Sequence, residues 1–336
     1  MLRIGVRPSV ERRVKHSPRR LEGLSESLVK SSPARTRRAR QSELQSVLDG
    51  RLQQDRRKIP TMSEFKVNHL LSTETVTIRD VLCSGKCRHR GPDERASETQ
   101  LVFPYRGIYV RHIGRDQAVA DANHVLFFNA GEAYQISHPV DGGDASLALV
   151  LPELLLSELV PPSLLNGQSP LGFRRQHQRI DPRGQALVAL LRHTLDNHTI
   201  EPLEAESLSL ILVCRSLGPR TSHEPHGSHG HHRLADRAKV LLSSDLSRRW
   251  TLAEIAAEVG GSPVYLTQVF RQIEGMPLYR YHLRLRLARA LDQITQYDDL
   301  SALAADLGFS SHSHFTAAFR QAYGRSPTDF KQSAQT

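Results

Sequence analysis

The chain has 336 residues, a formal net charge of +10 and three cysteines. That length holds two domains with cores of ordinary size, and an odd, low cysteine count argues against a disulfide framework and fits a reducing cytoplasm. The longest apolar stretch, "LALVLPELLLSELV", is broken by Pro152 and two glutamates, so no membrane span is expected, and the N-terminus lacks the apolar segment of a secretory signal.

Residues 1–61 carry 16 Lys/Arg against 6 Asp/Glu, which alone equals the excess charge of the whole chain. A high pI therefore says little about the folded parts. "RRVKHSPRR" and "SSPARTRRARQSE" combine dense charge with Ser and Pro, which predicts a disordered basic extension with one helical piece around "SELQSVLDGRLQQDRRK". Such an arm would add non-specific DNA affinity. Met62 is a candidate natural start, because ordered patterning begins just after it.

From residue 62 the pattern changes to short strands. "TETVTIRDVLC", "QLVFPYRGIYVRHI", "QAVADANHVLFFNAGEAYQISHP" and "ASLALVLP" are alternating or β-branched runs, punctuated by Gly, Pro, Asn and Asp. They predict a small all-β sandwich or barrel. Residues 153–216 read as helical. The segments 182–198 and 204–217 have apolar faces wide enough to pack on the barrel or on a second subunit. "GPRTSHEPHGSHGHHR" (218–233) is a linker by composition. Its histidines lack cysteine partners and regular helical spacing, so a polar hinge is expected rather than a metal site.

Residues 234–334 are helical and contain one pattern twice. Leu252, Ile255, Ala256 and Val259 fall at i, i+3, i+4, i+7, the spacing of one buried helix face. Thr251 and Glu254 form a capping box, and Trp250 with Ile255 a hydrophobic staple. Gly260 ends that helix, Ser262 caps the next, and Pro263 suits its first turn. Leu266, Val269, Phe270 and Ile273 then repeat the stripe. The second copy places Leu300, Leu303, Ala304 and Leu307 48 residues after their counterparts, with Asp299 as cap and Gly308 matching Gly260. Ser310 or Ser311 caps its following helix, whose inner face is Phe315, Ala318, Phe319 and Ala322. Each copy is a helix-turn-helix, at 252–273 and 300–323.

Between them, "PLYRYHLRLRLARALDQITQYDD" predicts one helix over about Leu278–Gln296, a rod of about 28 Å. One turn of B-DNA is about 34 Å, so such a rod can hold two recognition helices in successive major grooves. The outward faces expected to meet DNA are Val264, Tyr265, Thr267, Gln268 and Arg271 on the first helix. On the second they are His312, Ser313, Thr316, Ala317 and Arg320. Gln268 can pair with adenine, the hydroxyls can serve either base, and Val264 and the Ala317 methyl can touch thymine. Arg271 and Arg320 are placed to hold phosphates, as are the helix N-termini at Ser262 and Ser311. Arg280, Arg284, Arg286 and Arg289 on the rod read as a basic flank.

"IAAEVGGSPVYLTQVFRQIEGMP", the arginine-rich connecting helix and "LAADLGFSSHSHFTAAFRQAYGRSPTDFK" together resemble the AraC/XylS family of transcriptional regulators. The resemblance covers about 234–334. It implies a seven-helix DNA-binding domain and activation of promoters through contact with RNA polymerase. By position it also puts Val264, Thr267, Gln268, His312, Ser313, Thr316 and Ala317 on the base-facing sides. Ala317 stands where other members carry a long polar residue. The β-rich part resembles, more loosely, the cupin-like sensor domains found before such domains. Cupins bind metals through His and Glu, but the spacing of His112, His124, Glu132 and His138 gives no clear ligand set, so no metal and no cofactor is expected.

The fold class expected is therefore multidomain: a β-rich cupin-like sensor and dimerisation domain at 62–217, and an all-α C-terminal domain with two helix-turn-helix motifs at 234–334. The expected function is a cytoplasmic, sequence-specific regulator and activator, not an enzyme. Its partners would be double-stranded DNA, RNA polymerase, a small-molecule effector and a second copy of the chain, with no membrane. The rival readings are a metal-dependent cupin enzyme fused to a DNA-binding domain, a DNA-repair alkyl acceptor and a non-specific nucleoid protein. The alkyl acceptor would need four cysteine ligands for its zinc, and Cys83, Cys87 and Cys214 are too few.

Overall fold

The structure is a computed structural model that describes residues 65–85, 87–167, 170–218, 223 and 226–336. The expected basic extension at 1–61 lies outside the described residues. Short β-rich segments pair entirely antiparallel. The strands are β1 (Phe65–Ser72), β2 (Thr77–Cys83), β3 (Glu94–Arg95), β4 (Gln100–Arg106), β5 (Tyr109–Ile113), β6 (Asp116–Ala120), β7 (His124–Phe128), β8 (Ala133–Ser137), β9 (Asp144–Val150) and β10 (His177–Arg179). One sheet runs β1-β2-β9-β4-β7-β10 and the other β3-β8-β5-β6. Alternation is strongest in β2, where Ile78 and Asp80 are buried and their neighbours half-buried. In β7 and β9 nearly every residue is buried, because one face packs on the opposite sheet and the other on helices.

Those helices are α1 (Glu153–Leu159), α2 (Pro182–Asp196) and α3 (Pro202–Leu217). Leu156, Val188, Leu191, Leu195, Leu212 and Val213 join Phe103, Phe127, Leu147 and Leu149 in one core. Asp181 caps α2 by accepting from the Gly184 N–H at 2.8 Å, with Pro182 in the first turn. α2 was expected to pack on the barrel or on a second subunit; Val188, Leu191 and Leu195 pack on the barrel, and Ala186, Ala189 and Leu190 pack with Leu287, Ala290, Leu291 and Tyr323 of the C-terminal helices.

Seven helices follow among the described residues: α4 (His229–Ser244), α5 (Leu252–Val259), α6 (Pro263–Glu274), α7 (Leu278–Gln293), α8 (Leu300–Asp306), α9 (His312–Tyr323) and α10 (Pro327–Gln335). Two expectations change here. The linker 218–233 is not irregular to its end, because Ser228 accepts from the His231 N–H and starts α4 inside the histidine tract. The connecting rod is also shorter than 278–296. It ends at Gln293, about 24 Å at 1.5 Å per residue, where Gln296 turns back onto the Gln293 carbonyl. No helix among the described residues is long and apolar enough to cross a membrane.

Candidate nucleic-acid interface

The two copies fold as their stripes dictate, each around its own core. Ile255, Ala256, Val259, Leu266, Val269, Phe270 and Ile273 form the first; Leu303, Ala304, Leu307, Phe315, Ala318 and Phe319 form the second. Leu252, expected to be buried, is exposed, because it sits at the first position of α5 where the helix has barely met the core. Thr251 and Glu254 make the reciprocal capping box, and Trp250 packs against the first core while Arg248 stacks on its indole. Asp299 caps α8, Ser262 caps α6, and Ser311 rather than Ser310 caps α9 by accepting from the His314 N–H at 3.1 Å.

The two turns differ by one residue. The second reads Gly308-Phe309-Ser310-Ser311, and the inserted Phe309 is buried beside Phe315. Stripes that match at 48 residues in α5 and α8 therefore match at 49 in α6 and α9. Gly308 has φ +73°, and a Cβ there would lie 2.0 Å from the Ser247 carbonyl oxygen. Only glycine fits that approach.

On the first outward face Val264, Tyr265, Gln268 and Arg271 are exposed; on the second His312, Ser313, Ala317 and Arg320 are. Thr267 and Thr316 are half-buried, and the Thr267 hydroxyl donates to the Pro263 carbonyl at 2.9 Å. The 49-residue register also pairs Tyr265 with His314, an exposed position that the sequence reading passed over in favour of His312. The shared Phe-Arg-Gln at 270–272 and 319–321 was the signal that could have found it.

The rod arginines do not form a basic flank. Arg286 donates to the carbonyls of Leu246 at 2.6 Å, Arg248 at 2.8 Å and Gly308 at 3.3 Å. One guanidinium thus ties the loop before the first motif to the turn of the second. Arg289 pairs with Asp292, and burial lowers the pKa of Arg284. Arg280 is the exposed one of the four.

Both motifs are anchored on the β domain. Glu274, the last residue of α6, is buried between Lys239 of α4 at 3.0 Å and His124 of β7 at 3.5 Å. His124 also meets Asp121 at 3.0 Å, and Asp121 accepts from the Tyr281 hydroxyl. Burial alone would raise Glu274, but Lys239 and His124 outweigh it and hold its carboxyl well below the usual range. Burial likewise opposes the charge on His124, yet Asp121 and Glu274 raise its pKa. His177, edge-on to His124, is pushed down to about 3 by burial and by the cations of His124 and Lys239. A cleft of about 480 Å³ opens beside this cluster, lined by His223, His226, His229 and His232 from the linker and α4. On the other side Arg192 pairs with Asp292 at 2.9 Å, and His193 bonds the Leu291 carbonyl at 2.8 Å.

The β domain holds a separate cavity of about 250 Å³ between its sheets, lined by Val102, Tyr109, Phe128, Tyr134, Ile136 and His138 among others. Its walls are mainly apolar with a few polar groups, the kind of lining that ligand pockets have in general. The four residues weighed as cupin metal ligands do not converge. His112 bonds Ser137, His124 sits in the interdomain cluster, Glu132 pairs with Arg111, and His138 meets Asp144.

Residues 255–333 match the family described as a helix-turn-helix domain. The chain is similar to the transcriptional regulator GadX of Escherichia coli O6:H1, 34% identical over 100 residues that make up 30% of this chain and 36% of that protein. It is also similar to an AraC-like regulator of Streptomyces lividans, 27% identical over 197 residues, 57% of this chain and 62% of that one. Among solved structures, a DNA-binding transcriptional dual regulator of Escherichia coli K-12 aligns with 30% of this chain and 96% of its own, at 29% identity and a TM-score of 0.28. The chain thus spans about a third of the first relative's length and less than two thirds of the second's. By its duplicated motif and these sequence matches, the C-terminal helical part of the chain is similar to the helix-turn-helix domains of AraC-like transcriptional regulators.

Proposed function

We propose that the protein is a sequence-specific DNA-binding transcription regulator in which the β domain senses a small-molecule effector. The observation that carries this reading is the pair of capped helices, α6 and α9, in 49-residue register, each with an exposed polar face over its own core. α6 and α9 enter successive major grooves, with Val264, Tyr265, Gln268 and Arg271 in one and Ser313, His314, Ala317 and Arg320 in the next. His312, Thr267 and Thr316 take supporting positions at the edges of those faces. Arg286 keeps the two motifs from moving independently. The effector occupies the 250 Å³ cavity, and its signal reaches α6 and α9 through the Glu274 cluster and α2. Activation proceeds through contact with RNA polymerase, and the protein has no enzymatic role. A second copy docks on α3, where Leu203 and Ile211 are exposed.

The test is genomic binding-site mapping with the full chain, followed by footprinting on the best site. Two protected major-groove segments about one helical turn apart are expected. A single protected groove would reject the two-groove reading. Salt-sensitive protection with no preferred site would indicate a nucleoid protein instead.

A further inference from the structure

Cys83 and Asp144 at strand ends and His138 in the loop just after β8 meet at one end of the β domain. Cys83 ends β2 and Asp144 begins β9, and the two are direct cross-strand partners, so their side chains leave the sheet on the same face. His138 follows β8 of the other sheet, and its N–H donates to the Cys87 carbonyl at 2.7 Å. The loops behind them are tightly built. Gly143 has φ +71°, and a Cβ on it would lie 2.2 Å from the Cys83 carbonyl oxygen. The sulphur, one imidazole nitrogen and one carboxylate oxygen all lie within 4.8 Å of one another.

The three side chains are buried, at 7%, 3% and 8% exposure. Asp144 Oδ2 has no hydrogen bond of acceptable geometry among the described residues, although His138 Nε2 lies 2.7 Å from it. Three buried donor atoms of different type are thus gathered within reach of one another, with His138 and Asp144 already paired at 2.7 Å, and a cation could be shared among all three. Thiolate, imidazole and carboxylate are the donor types of zinc, with metal–ligand distances near 2.0–2.3 Å. Ligands at those distances stand roughly 3.3–3.8 Å apart in a tetrahedron. The cluster therefore needs shifts of about an ångström to close around an ion.

We infer that Cys83, His138 and Asp144 form a three-ligand zinc site at the mouth of the β-domain cavity. His138 and Asp144 also line that cavity, so the fourth coordination position opens into it. Three protein ligands and one open position leave room for water or for an oxygen or nitrogen donor on a bound molecule. The ion would join β2 and β9 of one sheet to β8 of the other and so stiffen the pocket wall. This site stands apart from DNA recognition, and its failure would leave the reading of α6 and α9 untouched.

The experiment uses the full chain after chelator treatment, titrated with Zn2+ and separately with Co2+ as a spectroscopic probe. One equivalent of Co2+ is expected to give a sulphur-to-cobalt charge-transfer band and tetrahedral d–d bands, and Zn2+ to displace them. Cys83→Ser should abolish the charge-transfer band, which separates Cys83 from Cys87 and Cys214. Asp144→Asn should weaken Zn2+ by about 100-fold or more, beyond the 10–100-fold of an outer-shell partner. Circular dichroism checks that both variants fold. A triple variant, His226→Ala, His229→Ala and His232→Ala, should keep the full signal. No thiolate band in the wild-type chain would overturn the proposal, as would Zn2+ binding that survives Cys83→Ser and disappears in the triple histidine variant.

Discussion

The two helix-turn-helix copies share caps, stripes and a Phe-Arg-Gln signature, yet they are held to the rest of the molecule by different physics. Glu274 and Tyr323 occupy the same position, 49 residues apart, each just before a left-handed glycine. Both are buried and both reach across the domain boundary. Glu274 does so as a charge between Lys239 and His124, while Tyr323 offers its hydroxyl to Gln185 of α2 at 3.4 Å. A charged anchor is strong only while every partner is present; a neutral one is weaker and tolerant. The first copy is therefore the one whose attachment depends on the ionisation state of its surroundings.

The sharpest way to break that comparison is Glu274→Gln. It removes the anion that Lys239 and His124 share and leaves them only Asp236 and Asp121 as respective partners. Loss of one partner of a buried pair costs about 3–5 kcal/mol. Denaturant unfolding of the full chain should show this loss, or a separate early transition of the C-terminal helices. An effect under about 1 kcal/mol would mean that water already screens the cluster, and the contrast with Tyr323 would collapse.

Acid titration sharpens the same contrast. His193 in α2 and His282 in α7 are both buried and pushed down to about 4, chiefly by burial, then by Arg192 and Arg286 respectively. Their unfolded value is about 6.5. Below it the unfolded chain takes up protons that the folded chain refuses, so stability falls as pH drops from about 6.5 towards 4, by roughly 2–3 kcal/mol for each residue. His124 has the opposite sign. Its folded pKa is raised, so its contribution is fully present below about 6.5 and is lost as pH rises through the folded value. Unfolding free energies measured from pH 4 to 8 should give a steep acid limb that shrinks in His282→Gln. A limb unchanged by that substitution would place the proton uptake elsewhere.

The helical copies were legible because their signals are local. Caps, stripes and terminal glycines lie within a few residues of one another, and the four helices of the two motifs follow from them. The residues that join elements were not legible. Arg286 looked like one more exposed cation on a basic rod, since nothing in its own helix reveals that Leu246 and Gly308 present carbonyls to it. Asp121, His124, Lys239 and Glu274 are scattered over 154 residues and have no spacing to notice. Cys83, His138 and Asp144 likewise meet through sheet register, which periodicity does not encode. Leu252 matched its stripe and is exposed all the same, because a stripe gives a direction and not a depth.

At the proposed DNA-facing surface the copies differ at another matched pair, Gln268 and Ala317. A glutamine can make a bidentate pair with adenine, whereas an alanine offers only a methyl to thymine. Gln268→Ala makes the first face resemble the second, and should cost about 1–3 kcal/mol at a single base position. Binding measured across a library of half-site variants reads this directly. Uniform weakening across all sequences would assign Gln268 to the phosphate backbone.

The smallest expected effect is that of Tyr323→Phe. The ring stays in the second core against Phe319, at 4.6 Å between centroids, and only the hydroxyl is lost. The bond to Gln185 is long, and Gln185 keeps its amide bonds to the Ala122 carbonyl and Asn123. A neutral hydrogen bond at that distance is worth about 1 kcal/mol or less. A larger loss in denaturant unfolding would mean that the second copy depends on its anchor as heavily as the first. The asymmetry between a switchable and a permanent attachment would then have to be given up, because both recognition helices would respond alike to whatever loosens the domain boundary.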